Sequence, residues 1–415
     1  MNDFEKRAAE GVARTVFPIV KPAFTAADTC ACVKNARIPV DPEATGKTKD
    51  LLRFLYEMSK SHSFMFGQQN AAHLGISIDR HDGSQSDVKL ICGSHPAVIG
   101  LYTLSLTGFE GALQQSIAAT QQLNRENVIV TLSMHAPNFA VCDDAFSGYS
   151  PNVTSPAIVN DVMQGGILHD KFLRYLDFVV DYARAIVDDH GEFIPVIFRP
   201  FHENNGSWFW WGGEHCTPYE YKELFRYTIE YLQKEKGIHH FLYAYSPNGP
   251  FADEEEYLDR YPGDDSIDII GFDMYHDRPT LTDTWIDTLV KTCRQVASIA
   301  RDRNKTAAVT ETGLRMMDTA KDGLEYEGLS PTDNPRPDWF LECTNAIMAD
   351  PLASEVAFFL VWANFKNTQF WAPYLLDEKR GHEMINEFTA FLNDPHVVLA
   401  SQLKGTELFP GFEEP

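Results

Sequence analysis

No stretch of the 415-residue chain approaches the run of about 18 apolar residues needed to cross a bilayer as a helix. The first eleven residues, MNDFEKRAAEG, lack the apolar core of a secretory leader. The expectation is a cytoplasmic protein if the chain is complete as given, and a secreted or periplasmic one if a leader has been removed. Basic charge is also short: 35 Lys and Arg stand against 59 Asp and Glu, a net charge of −24. Polyanionic partners need basic patches, so nucleic acid and an anionic membrane surface are disfavoured, whereas an uncharged ligand is not. The seven cysteines, at 30, 32, 92, 142, 216, 293 and 343, form an odd, scattered set. That argues against a disulfide framework, Cys30 and Cys32 are too close for a C-x-x-C metal pair, and buried free thiols are expected.

Several motifs of catalysis and cofactor binding are missing. ATGKT at 44–48 ends like a phosphate loop, but Asp41 stands where its first glycine belongs. His202-Glu203 opens H-E-x-x-H, but Gly206 occupies the second histidine position, so a zincin is excluded. G-x-S-x-G and G-x-G-x-x-G do not occur, and His73, His81 and His95 have no ligand spacing. No metal and no organic cofactor is signalled. Asn-x-Ser/Thr triplets at Asn152, Asn205 and Asn304 are short enough to arise by chance.

Apolar residues make 44% of the chain, enough for a sizeable core. They gather in eight short runs: 64–69, 97–104, 128–135, 194–203, 241–246, 267–275, 307–311 and 356–362. Continuous rather than alternating apolar runs suit strands covered on both faces, as in a parallel sheet. Helical spacing appears over 47–61, 171–188, 217–236, 284–301 and 382–392. The start at Thr217 is sharply marked, with Pro218 at the first helical position and Glu220 completing a capping box. The expected fold is α/β, a single-domain (β/α)8 TIM barrel, with a doubly wound open sheet as the competing arrangement. Residues 1–45, with four prolines, are expected to be an N-terminal extension packed on the barrel, and 46–415 the catalytic domain. Two long loops, 136–168 and 313–337, should lie on the C-terminal face, where such barrels build their sites.

One junction carries unusual chemistry. IPVIFRPFHENNGSWFWW, residues 194–211, joins an apolar run containing Arg199 to His202, Glu203 and four consecutive aromatics. Glu203 ends the fourth run and Glu311 ends the seventh. A lone glutamate at a strand end is ordinarily a cap or a surface charge. Two at the ends of strands 4 and 7 face each other across a barrel mouth, as glycoside cleavage requires of its acid and its nucleophile or base. An apolar setting should keep Glu203 protonated, while Thr310, Thr312 and Arg315 should keep Glu311 ionised. Trp208–Trp211, Trp362 and Trp371 can stack on sugar faces, with at least one of the 208–211 set in the core. Tyr275 can hydrogen-bond the nucleophile.

At this point the chain resembles glycoside hydrolase family 26, the β-mannanase family. R-P-F-H-E-x-N-G-x-W-x-W-W-G at 199–212 is a specific match, supported by G-F-D-M-Y at 271–275, T-E-T-G around Glu311, V-T-L-S-M-H ending in His135, and the Trp362 strand. The resemblance covers residues 50 to 395. It implies a retaining hydrolase of β-1,4-mannosidic bonds in mannan, glucomannan, galactomannan or mannooligosaccharides. Glu203 would be the acid/base and Glu311 the nucleophile. His202 and Tyr275 would orient them, and His135, Trp208 and Trp362 would line the sugar subsites. It implies no cofactor, and a monomer is expected. Two departures fall on the non-reducing side. Gly100-Leu101-Tyr102 stands where many relatives carry Trp-Asp, and Ala363 where many carry Arg. These open an alternative with the same fold and mechanism acting on mixed-linkage β-glucan or β-1,3-xylan. A non-catalytic carbohydrate-binding protein is a further reading, disfavoured by the presence of both glutamates.

Overall fold

The computed structural model describes residues 37–147, 149–319, 325–377, 380–406 and 408. Strands β1 (Phe64–Gln69), β2 (Val98–Tyr102), β3 (Ile129–Met134), β4 (Val196–Pro200), β5 (Phe241–Tyr245), β6 (Ile269–Asp277), β7 (Thr306–Arg315) and β8 (Val356–Val361) follow in chain order. Each pairs in parallel with the next, and β8 pairs back onto β1 through Met65↔Phe358 to Gln68↔Val361. The sheet therefore closes, which removes the open doubly wound alternative. A two-residue strand, Val397–Val398, adds to the start of β1.

A helix follows each strand: α1 (Asp87–Cys92), α2 (Ala112–Arg125), α3 (His169–Ala185), α4 (Pro218–Glu230), α5 (Glu254–Leu258), α6 (Trp285–Asp302), α7 (Trp339–Met348) and α8 (Ile385–Asn393). At α4 the capping box forms as the sequence predicts: Thr217 Oγ1 accepts from the Glu220 amide, and the Glu220 carboxylate accepts from the Thr217 amide. Beyond α4 the chain passes into a π-helical turn, Tyr231–Glu235, inside the predicted helix 217–236.

Side chains alternate between two cores. One lies between strands and helices and includes Val196, Phe198, Phe272 and Val309. The other fills the barrel with Met65, Ile197, Leu242, Ile269, Ala308 and Leu360. A leading helix, Gly46–Lys60, contributes Leu51, Leu52, Leu55 and Met58 to this inner core and packs on β1, β5, β7 and β8. It closes the N-terminal end of the barrel.

Most of the expected 1–45 extension, with Cys30 and Cys32, lies outside the described residues, as do 320–324 of the long loop after β7. Residues 37–45 rest against the barrel. The Val40 amide donates to Asp268 Oδ1 at 2.8 Å, Asp41 pairs with His239 at 2.9 Å, and Arg37 sits 4.2 Å over the Tyr56 ring. Among the described cysteines, Cys142 is half-buried and the others are buried.

The strand ends differ from the sequence expectation in ways that shape the site. β4 stops at Pro200, and Glu203 follows in a turn with Phe201 and Glu203 both in the left-handed region, φ 50° and 51°. Such backbone costs on the order of 1–3 kcal/mol per residue and persists only where surrounding contacts hold it. Here the Glu203 amide donates to Ser246 O at 2.8 Å, tying the turn to the end of β5. β7 runs four residues past Glu311, to Arg315, and is irregular midway. Val309 pairs with Phe272 but Glu311 pairs with Asp273, so β7 holds one more residue than β6 there. The same extra residue is seen from β8, where Phe359 pairs with Val309 and Val361 with Thr312. This β-bulge rephases the strand. Without it, Glu311 would share the outward face of Val309. With it, Glu311 follows Ala308 and Thr310 into the barrel mouth.

Candidate active site

Inward alternation brings four ionisable groups together above the inner core: Arg199 from β4, Asp273 from β6, Glu311 from β7, and Glu203 from the turn after β4. Arg199 is buried and fully engaged. Nη1 donates to Asp273 Oδ2 at 2.7 Å and to Ser246 Oγ at 3.1 Å, and Nη2 donates to Glu311 Oε2 at 2.6 Å. Asp273 Oδ1 accepts from Thr310 Oγ1 at 2.7 Å, and Glu311 Oε1 accepts from the Tyr275 hydroxyl at 2.7 Å.

One guanidinium thus serves two of three buried carboxyl groups. Glu203 is the one left over. Its only hydrogen-bond donor among the described residues is Trp208 Nε1, 2.6 Å from Oε2. Burial first, and then the neighbouring charge of Glu311, push its pKa up to about 8. At neutral pH Glu203 keeps its proton.

The cation beside Glu311 is not the one expected from sequence proximity. Arg315 forms a bidentate pair with Asp277, 2.6 and 2.8 Å, and lies 4.8 Å over the Tyr275 ring. Nor do the flanking threonines bond Glu311: Thr310 serves Asp273 and the Phe272 carbonyl, and Thr312 serves the Met274 carbonyl. Arg199, 112 residues away in sequence, supplies the charge expected of them. Arg199 and Asp273 were visible as charges inside apolar runs, on the same strand face as Ile197 and Ile269 respectively. That parity was the available signal.

A cavity of about 450 Å³ is lined by His135, His202, Glu203, Trp208, Tyr275, Glu311 and Trp362, so the structure brings all seven sequence-predicted site residues together. Arg315, Asp277, Tyr149 and Glu327 complete its rim. The His135 and His202 rings lie 4.4 Å apart. Burial, with the Arg199 charge second, depresses both, His135 to about 3, so both are neutral. Of the four consecutive aromatics, Trp208 and Phe209 line this cavity and Trp210 and Trp211 do not. Phe209, Trp210 and Trp211 are buried, with Trp210 Nε1 donating to Ala136 O and Trp211 Nε1 to His202 O. Trp210 and Trp211 support the turn from behind, while Trp208, 41% exposed, and the buried Phe209 line the cavity. Trp371 lines the cavity floor but is itself buried.

A second cavity of about 770 Å³ adjoins the first and shares His135, Tyr149, Glu327 and Trp362 with it. Tyr102 lines it, with its ring 5.5 Å from His135, as do His73, Phe109 and Gln369. Ala363 is buried and faces neither cavity. The next residue, Asn364, clamps the chain after β8 by bonding Asp87 and the backbone of Trp371 and Ala372. Among the described residues no group of three or more His, Cys, Asp or Glu is placed to hold a metal ion.

A closed (β/α)8 barrel whose mouth brings two glutamates, from β7 and the turn after β4, into one cleft has the layout of a glycoside hydrolase. The chain belongs to glycosyl hydrolase family 26, whose sequence profile matches residues 40–318. It is 34% identical over 413 residues to a mannan endo-1,4-beta-mannosidase of Bifidobacterium adolescentis, covering 95% of this chain and 39% of that protein. A mannan endo-1,4-beta-mannosidase of Bacillus subtilis strain 168 is 27% identical, over 57% of this chain and 66% of its own length. The chain thus spans well under half of the first relative. Among solved structures, the catalytic domain of a Bacillus sp. JAMB-750 GH26 endo-beta-1,4-mannanase superposes with a TM-score of 0.81 at 34% identity, covering 88% of this chain and 95% of that one. The modular endo-beta-1,4-mannanase of Cellulomonas fimi gives 0.79 at 34% identity, over 89% and 79%.

Proposed function

We propose that this chain hydrolyses β-1,4-mannosidic bonds in mannan, glucomannan, galactomannan or mannooligosaccharides by a retaining double displacement. Glu203 is the acid/base, Glu311 the nucleophile, and no cofactor takes part. The observation that carries this reading is the unequal treatment of the two glutamates: Glu311 is ion-paired to Arg199, and Glu203, without a cation, holds a proton up to about pH 8.

In the first step a Glu311 oxygen bonds to the anomeric carbon as the glycosidic C–O bond breaks. The bond's electron pair goes to the leaving oxygen, which takes the Glu203 proton. In the second step water attacks the same carbon, returns a proton to Glu203 and releases Glu311. Arg199 and Tyr275 hold Glu311 in place, and the neutral His135 and His202 offer hydrogen-bonding nitrogens without competing charge. The two adjoining cavities supply a cleft long enough for several sugar rings, consistent with attack within a polymer. The names of the relatives, both mannan endo-1,4-beta-mannosidases, support the choice of sugar.

Digestion of mannohexaose, followed by product sizing and by NMR of the first-formed anomer, tests the reading. Smaller β-anomers are expected from the wild type. Glu203→Ala and Glu311→Ala should each lower turnover by orders of magnitude. Near-wild-type cleavage by either variant, or first-formed α-anomers, overturns it. Tyr102 in the second cavity favours running lichenan and β-1,3-xylan beside mannan. Faster release from either would move the chain to the alternative substrate.

A further inference from the structure

Trp208 does two things at once. Its indole is laid across Gly206 so closely that a Cβ there would sit 2.3–2.5 Å from three ring carbons. In that position Nε1 reaches Glu203 Oε2 at 2.6 Å. An indole N–H can only donate. Oε2 is therefore held as an acceptor, and because the carbonyl oxygen of a neutral carboxyl is the better acceptor, this bond favours the proton on Oε1. Among the described residues nothing donates to Oε1, and Glu203 lines the cleft.

We propose that Trp208 is a positioning residue for the acid, selecting Oε1 of Glu203 as the oxygen that carries the proton to the leaving group. The proposal rests on the hydrolase reading above and adds to it a reason for the bare backbone at Gly206: a side chain there would lift the indole off Oε2. When Oε1 gives its proton to the departing oxygen, Glu203 becomes a carboxylate, and the bond from Nε1 becomes charge-assisted and stronger. Trp208 thus favours the state that protonation of the leaving group creates.

Trp208→Phe keeps an aromatic face toward the cleft and removes the N–H. Purified wild type, Trp208→Phe and Gly206→Ala are compared by kcat/KM on mannopentaose, whose leaving sugar needs a proton, and on dinitrophenyl β-mannobioside, whose leaving group does not. For Trp208→Phe the expected loss is at least tenfold greater on mannopentaose than on the dinitrophenyl substrate. The alkaline limb of its pH profile should also move upward, because a donor to the carboxylate has been lost. Gly206→Ala retains the indole but displaces it, and should show the same leaving-group bias. If Trp208→Phe loses equally on both substrates and its pH limb stays in place, Trp208 is only a stacking surface and the inference is wrong, while the hydrolase reading stands. If the wild type cleaves neither substrate, both fall together.

Discussion

Replacing Glu203 by Gln should make the protein more stable, and increasingly so as the pH rises. The folded chain holds the Glu203 proton up to about pH 8, against an ordinary value of 4.5. Between those limits the folded state binds more protons at this site than the unfolded state does. Stability from this group is therefore fully present below about pH 4.5 and falls as the pH climbs toward 8. Displacing a pKa by one pH unit is worth about 1.4 kcal/mol, so the interval of about 3.5 pH units amounts to about 5 kcal/mol. Glutamine is nearly isosteric, does not titrate, and its amide oxygen still accepts from Trp208 Nε1. The stability advantage of Glu203→Gln over the wild type should accordingly grow by up to about 1.4 kcal/mol per pH unit from about pH 5 to about pH 8 and then level off. Urea unfolding at half-unit pH steps, read by tryptophan fluorescence, measures it. The same group sets the alkaline limb of kcat/KM in the free enzyme, so the wild-type activity midpoint and the plateau of the stability difference should coincide near pH 8. A difference that is flat across this range would refute the reasoning, since it would mean Glu203 is not held protonated by its burial.

Other outcomes follow from neighbouring contacts. Arg199→Met should strip the cation from two buried carboxyl groups and cost about 3–5 kcal/mol of stability along with activity, measured by urea unfolding and mannopentaose turnover. Tyr275→Phe should lower kcat about 10²-fold with KM little changed, because one donor to Glu311 is lost while the ring beneath Arg315 remains. Tyr102→Ala should raise KM for mannohexaose about tenfold while leaving kcat near wild type, since the ring lies in the second cavity and not beside the reacting bond.

The barrel was legible because eight continuous apolar runs, separated by helical patterns, leave few alternatives for a chain of this length. The pairing of the two glutamates in one cleft was legible because Glu203 and Glu311 stand at corresponding ends of two such runs. The electrostatics were less so. Arg315 is four residues from Glu311 and on the same strand, yet its guanidinium turns to Asp277. The cation that matters comes from a strand three places around the barrel. Sequence distance carries no information about which inward side chains share a layer. The aromatic cluster misleads for the same reason. Four consecutive rings in a turn cannot all face one way: Trp208 and Phe209 line the cavity, and Trp210 and Trp211 hold the turn from behind.

The extra residue in β7 has a consequence for anyone moving this site to another scaffold. The direction of Glu311 is set by a count, not by a contact: an odd step inserted between Val309 and Glu311 decides whether the carboxylate faces the cleft or the helix layer. A graft that copies the inward strand side chains onto a regular eight-stranded barrel would place Arg199 and Asp273 correctly but not Glu311. Homologous recombination points, loop swaps and consensus designs that trim one residue from β7 would yield a protein with a sound core and intact cleft walls, but with the Glu311 carboxylate facing the wrong layer.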